Sequence, residues 1–202
     1  MVVLAVLAFF AAMLFPALDN RPPRAPRIQC VNNLKQIGLA TRVWEGDYND
    51  RYPPQVSTTN GGTMEFTSGP NVWRHFQVMS NELSTPKIAI CPADANRICA
   101  TNFTWFNNSN VSFFYGIDDT ETNAQMMLSG DRNITNRTSV RNGLLELTTN
   151  SVAGWTAEIH NKVGNIVLSD GSVQQVSSVG LRNATTHTGV ATNRLQMPIF
   201  GP

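Results

Sequence analysis

The chain opens on eighteen residues, MVVLAVLAFFAAMLFPAL, that include no charged or polar side chain. As a helix this run would rise about 27 Å, close to the ~30 Å hydrocarbon layer of a bilayer. A membrane span or anchor is therefore the first expectation for residues 1–18. A cleaved signal peptide is the second, although no Lys or Arg precedes the run and Phe15-Pro16 makes a poor cleavage context. A core helix is the third, and it would need partners on every face. At 19–26 the pattern breaks. Pro22, Pro23 and Pro26 remove backbone donors and push the residues before them out of the helical region. Beyond the prolines, Ile28, Val31, Leu34 and Ile37 recur at three-residue spacing, and Thr41 and Trp44 continue the line. This predicts one face of a helix from 27 to about Tyr48. A loop at 55–69 follows. Then Trp73, Phe76, Met79 and Leu83 predict a short helix over 71–83.

From residue 87 the periodicity turns to that of strands, expected at 87–91, 111–115, 125–129, 144–148, 154–159, 165–169 and 172–176. The last two flank Asp170-Gly171, a dipeptide suited to a two-residue hairpin turn with positive φ at both positions. A short helix within 180–192 and an irregular tail complete the pattern. The fold class expected is α+β. A long N-terminal helix, apolar then amphipathic and broken near the prolines, packs on an antiparallel sheet head. The chain divides accordingly into an anchor at 1–18, a proline-rich break at 19–26, and an amphipathic helix plus β-rich head at 27–202.

Composition narrows the function classes. Charged residues are 14% of the chain and the formal net charge is +1. That leaves no basic field for nucleic acid. With 10 Phe and 4 Trp, the chain is not a polar disordered one. Abundant Asn, Thr and Ser, with three cysteines at no zinc-site spacing, point to an extracytoplasmic head. Arg21, Arg24 and Arg27 directly after the apolar run pull the other way, since flanking positive charge favours the cytoplasm. Both facts fit together if further sequence precedes Met1.

The candidate chemistry is sparse. No G-x-S-x-G, H-E-x-x-H, P-loop or G-x-G-x-x-G pattern occurs, so no catalytic residue is assigned and no enzyme is expected. Asp118, Asp119 and Glu121, with Thr120 and Asn123, form an oxygen-rich loop of the kind that takes Ca2+, or else a solvated turn. Asp94 and Asp131 are further carboxylates that such a site could use. His160 and Asp170 are either a ligand or acid–base pair, or a strand cap and a turn. Cys30–Cys91 would tie helix to sheet across about sixty residues, worth roughly 3–4 kcal/mol. Cys91–Cys99 would close a small loop, and three reduced thiols are the remaining alternative. His75, beside Arg74, and His187 are expected at the surface. Trp105, Phe106, Phe113, Phe114 and Tyr115, interleaved with Asn107, Asn108 and Asn110, form either a sugar-binding platform or strand core.

The layout resembles bacterial pseudopilins, and more narrowly the prepilin-like proteins of Planctomycetes and Verrucomicrobia that carry an H-X9-DG signature. The resemblance rests on four segments. They are MVVLAVLAFFAAMLFPAL, RIQCVNNLKQIGLA at 27–40, the Cys91-Pro92-Ala93-Asp94 motif, and His160 followed after nine residues by Asp170-Gly171. It implies a pilin-like fold and a structural role in a type II secretion or type IV pilus-like system. The partners implied are other pseudopilin subunits, inner-membrane secretion machinery and the membrane itself, with no nucleic acid. The location implied is the inner membrane, single-pass, with the C-terminal domain in the periplasm or cell exterior. The resemblance favours the Cys30–Cys91 pair, leaving Cys99 free, and raises the case for calcium in the head. The family's leader, cleavage glycine and assembly glutamate have no counterpart before the apolar run, so no prepilin cleavage site is assigned. Either translation starts upstream of Met1 or this copy has lost its processing site. The alternative reading is an exported, non-catalytic polysaccharide-binding module or hydrolase with an N-terminal signal or anchor.

Overall fold

The computed structural model describes residues 24–137 and 139–199. The expected anchor at 1–18 and most of the proline-rich break lie outside the described residues. The first described element is helix α1, Arg24–Gly46. It begins inside the segment expected to break it. Pro26 is tolerated there because the first helical turn has backbone N–H groups with no intrahelical partner to lose.

The expected long helix, apolar then amphipathic, is overturned. Among the described residues no helix is long and apolar enough to cross a membrane. What packs on the sheet is an amphipathic helix of 23 residues. Its buried stripe is Cys30, Leu34, Ile37, Thr41 and Trp44. Gln29, Asn32, Lys35 and Gln36 face out. Ile28, expected on the buried line, is exposed, and Cys30 takes that place. The 3.6-residue repeat carries the stripe from Leu34 back to Cys30 and not to Ile28. Trp44 and Tyr48 stack at 3.7 Å, and beyond the helix end at Gly46 the chain turns through left-handed Asn49 and Asp50.

The expected helix at 71–83 is two short helices, α2 (Val72–Val78) and α3 (Ser80–Leu83). The expected strand at 87–91 is a 3-10 turn, Pro86–Ala89, capped by the Thr85 hydroxyl, which accepts from Lys87 N–H. Among the described residues eight strands follow: β1 (Phe113–Gly116), β2 (Met127–Asp131), β3 (Ile134–Thr135), β4 (Leu144–Thr148), β5 (Gly154–Trp155), β6 (Val163–Leu168), β7 (Val173–Ser177) and β8 (Thr192–Gln196). Helix α4 (Ser178–His187) joins the last two. Six strands form one sheet in the order β4-β8-β1-β2-β6-β7, and β3 and β5 form a small ribbon beside it. Every pairing is antiparallel.

The central strands are buried on both faces, which explains their near-continuous apolar character. Alternation divides their side chains between two cores. Phe113, Tyr115, Leu128 and Val167 join the core under α1. Phe114, Met127, Ile166 and Leu168 join Leu145, Leu195 and Leu181 in the core under α4. The result is three layers: α1 with the short helices, the sheet, and α4 with the β3–β5 ribbon. At the β6–β7 hairpin, Leu168 N donates to the Ser172 carbonyl at 2.9 Å, so three residues and not two make the turn, with Gly171 in positive φ at 82°.

Candidate functional site

Three consecutive anchor points on α1 define the site. Cys30 lies on the buried stripe and is joined by a disulfide to Cys91, just beyond the Pro86–Ala89 turn. One turn earlier, Arg27 Nη2 donates to the His160 carbonyl at 2.7 Å. One turn later, Asn33 Nδ2 donates to the Ile90 carbonyl at 2.6 Å. Residues i, i+3 and i+6 share a helix face, so Arg27, Cys30 and Asn33 reach the same side. His160, Asn161 and Lys162 are all left-handed, with φ of 56°, 52° and 63°. This turn swings the His160 ring back over the disulfide, with Nε2 3.3 Å from Cys91 Sγ. Asp131, at the end of β2, lies below: its Oδ2 is 3.6 Å from His160 Nε2 and accepts from Asn165 N at 2.7 Å and Nδ2 at 2.8 Å.

The charges in this cluster answer to burial. Burial raises Asp131 to about 7, against the pull of its Asn165 hydrogen bonds. Burial, and then the Arg27 guanidinium, lower His160 to about 4. At neutral pH the imidazole is therefore uncharged and free to accept at one nitrogen. At the rim, Arg132 grips Asp94 through two bonds of 2.7 Å and Glu158 through one of 2.6 Å. Although burial works against it, Arg132 holds the Asp94 carboxyl below its ordinary value.

The other half of the sequence signature sits at the far end of β6. Asp170-Gly171 forms the exposed hairpin turn, where Asp170 Oδ1 accepts from Ser172 N at 2.8 Å. His160 and Asp170 thus cap opposite ends of one strand and are not brought together. Arg42 of α1 donates to the Ser169 carbonyl there, at 2.7 Å. Fifteen helical residues from Arg27 to Arg42 rise about 22 Å. Seven strand steps from Lys162 to Ser169 span about 23 Å. Arg27 and Arg42 thus bind the two ends of the segment between His160 and Asp170.

The Asp118, Asp119 and Glu121 carboxylates are drawn apart. Asp118 pairs with Arg194, Asp119 accepts from the Ser169 hydroxyl, and Glu121 is 3.6 Å from Arg42. Burial raises Asp119 to about 7. Among the described residues, the group of His, Cys, Asp or Glu with converging ligand atoms is Cys30, Cys91 and His160. Cys99 is free and exposed.

One further expectation changes. His75 is fully buried and not at the surface. Its Nε2–H donates to Gln196 Oε1 at 2.5 Å, and its Nδ1 accepts from the Thr63 hydroxyl at 2.7 Å. Burial lowers it to about 4. Of the two readings of the aromatic cluster, core is the one seen for Phe106, Phe113, Phe114 and Tyr115, while Trp105 stays 78% exposed. Sequence reasoning missed Arg27, Asn33 and Arg42 as fasteners. Their only signal was that polar side chains lie within a turn or two of the buried stripe.

Comparison with protein families matches residues 23–158, more than half of the chain, to a family described as a protein of unknown function, DUF1559. No curated protein and no solved structure matches the chain.

Proposed function

The chain belongs to the DUF1559 family, and we propose that it is a membrane-anchored, pseudopilin-like structural subunit acting by assembly and not by catalysis. One observation carries this reading. The charge-free run at 1–18 leads, after a few residues, into a helix fastened by a disulfide to the segment after the Pro86–Ala89 turn and by hydrogen bonds to both ends of β6. A head pulled or held by its N-terminus needs such fastening, because load then passes into the sheet without peeling α1 away. Ile28, Leu39 and Val43, each more than half exposed on α1, further support a helix that meets neighbours in an assembly.

On this reading the partners are other pseudopilin subunits and inner-membrane secretion machinery. The location is the inner membrane, single-pass, with the C-terminal domain in the periplasm or cell exterior. The test is fractionation of cells expressing the full chain or a chain lacking 1–18. The full chain is expected with the membranes, and the shortened chain as a soluble monomer. Recovery of the shortened chain in membranes would refute the anchor. The alternative, an exported polysaccharide-binding module, now rests on Trp105, the aromatic of the expected platform that remains exposed. Glycan binding that is lost in Trp105→Ala would favour it.

A further inference from the structure

The two sulfurs of Cys30 and Cys91 and a ring nitrogen of His160 lie within 4.8 Å of one another. A tetrahedral zinc ion, with Zn–S of about 2.3 Å and Zn–N of about 2.0–2.1 Å, needs sulfur and nitrogen ligands roughly 3.6 Å apart. His160 Nε2 and Cys91 Sγ, at 3.3 Å, are within a few tenths of that. Both cysteines are fully buried and the His160 side chain is 3% exposed. A second, independent feature lies beside His160, just outside that trio. Asp131 is completely buried, its Oδ2 is 3.6 Å from the same His160 nitrogen, and its Oδ1 has no hydrogen-bond partner. Nothing in the disulfide state uses that oxygen.

We infer that the reduced protein binds a zinc-class divalent cation through Cys30, Cys91 and His160, with Asp131 supplying the fourth donor, so that disulfide and metal site are alternative states of one locus. The exchange balances. A dithiol reductant gives two electrons and two protons to the Cys30–Cys91 bond and leaves as its own disulfide. The S–S bond breaks and two thiols form. The cation then displaces both thiol protons to solvent. The site survives opening of the bond because the helix is held on either side of Cys30. Arg27 binds the His160 carbonyl and Asn33 binds the Ile90 carbonyl, and neither contact involves sulfur. The Arg27 guanidinium also sets a positive charge next to a site that would carry two thiolates and a carboxylate.

The experiment uses the full chain with Cys99→Ser, which removes the exposed thiol. The chain is reduced without air by a phosphine, freed of it, and titrated with cobalt(II) and then zinc(II). One cobalt per chain is expected, with thiolate-to-cobalt charge-transfer absorption that zinc abolishes. The oxidised chain should bind none. His160→Ala should weaken cobalt binding by about tenfold or more, and Asp131→Asn by a smaller factor. Circular dichroism of the oxidised variants checks that each folds. Should the reduced chain lose structure, cobalt must restore the native spectrum. Equal binding by oxidised chain, undiminished binding by folded His160→Ala, or cobalt bound without native structure would each overturn the inference.

Discussion

Burial raises Asp119 from an ordinary 3.8 to about 7 and lowers His75 from 6.5 to about 4, and the two shifts act on stability with opposite signs. The folded state holds the Asp119 proton where the unfolded chain has lost it. Its contribution is therefore complete below about 4 and disappears as pH rises through about 7. His75 does the reverse: the unfolded chain takes up its proton first, so stability is lost as pH falls from about 6.5 to about 4. Between those limits the two largely cancel. Asp119→Asn should therefore make stability climb with pH over this window, relative to the parent, by up to about 1.4 kcal/mol per pH unit. His75→Gln should tilt it the other way. Urea unfolding at a series of pH values measures both, and parallel curves would refute the assignment. Close approach matters elsewhere. A Cβ on Gly116 would sit 2.2 Å from the Met127 carbonyl oxygen, so Gly116→Ala should cost about 3 kcal/mol or more in the same assay. None of this was legible locally. His75 lies on the buried face of its helix, three residues after Val72 and four before Met79, but its ring is polar and the partner that lets it bury, Gln196, lies 121 residues away.

Helix α1 and strand β6 form the mechanical unit of the molecule. The Cys30–Cys91 bond closes a separation of 61 residues. In the chain-entropy picture its removal costs about 4 kcal/mol, which for a chain of this size lowers Tm by roughly 10 °C. The double variant Cys30→Ser/Cys91→Ser should show this loss in calorimetry. An unchanged Tm would mean that Arg27, Asn33 and Arg42 alone hold the helix. Gly38 sets how closely the two elements approach, since a Cβ there would be 2.9 Å from a Val167 methyl. Gly38→Leu should lift the helix off β6 and lower Tm without disturbing the disulfide. At this scale much was readable: an amphipathic helix in this stretch, the strand at 144–148, and the β6–β7 hairpin around Asp170-Gly171. The expected strand at 87–91 failed because Pro86 sets a helical φ at the start of a capped turn. Strand β8 escaped notice because its inward positions include Asn193 and Gln196, polar residues that bury only by bonding to other elements.

Over the whole molecule, β8 decides whether the sheet closes. It lies between β4 and β1, so the last described strand joins two earlier ones. Truncation after residue 189 should leave β4 without its sheet partner and the His75 ring without Gln196. Loss of dispersed amide signals in NMR is the expected outcome, and a native-like spectrum would refute this role. Folding should accordingly be slow, because pairings of this kind must close long loops before they are rewarded. The sequence by itself determined what depends on neighbours a few residues away: the charge-free run at 1–18, the amphipathic repeat of α1, several strands and the turn at Gly171. The tertiary structure alone decided the strand order, the burial of His75, the separation of Asp118, Asp119 and Glu121, and the meeting of His160 with the disulfide. The reason is physical. Periodicity records which face of an element is apolar, whereas a buried polar group is specified by its partner, and here those partners come from distant parts of the chain.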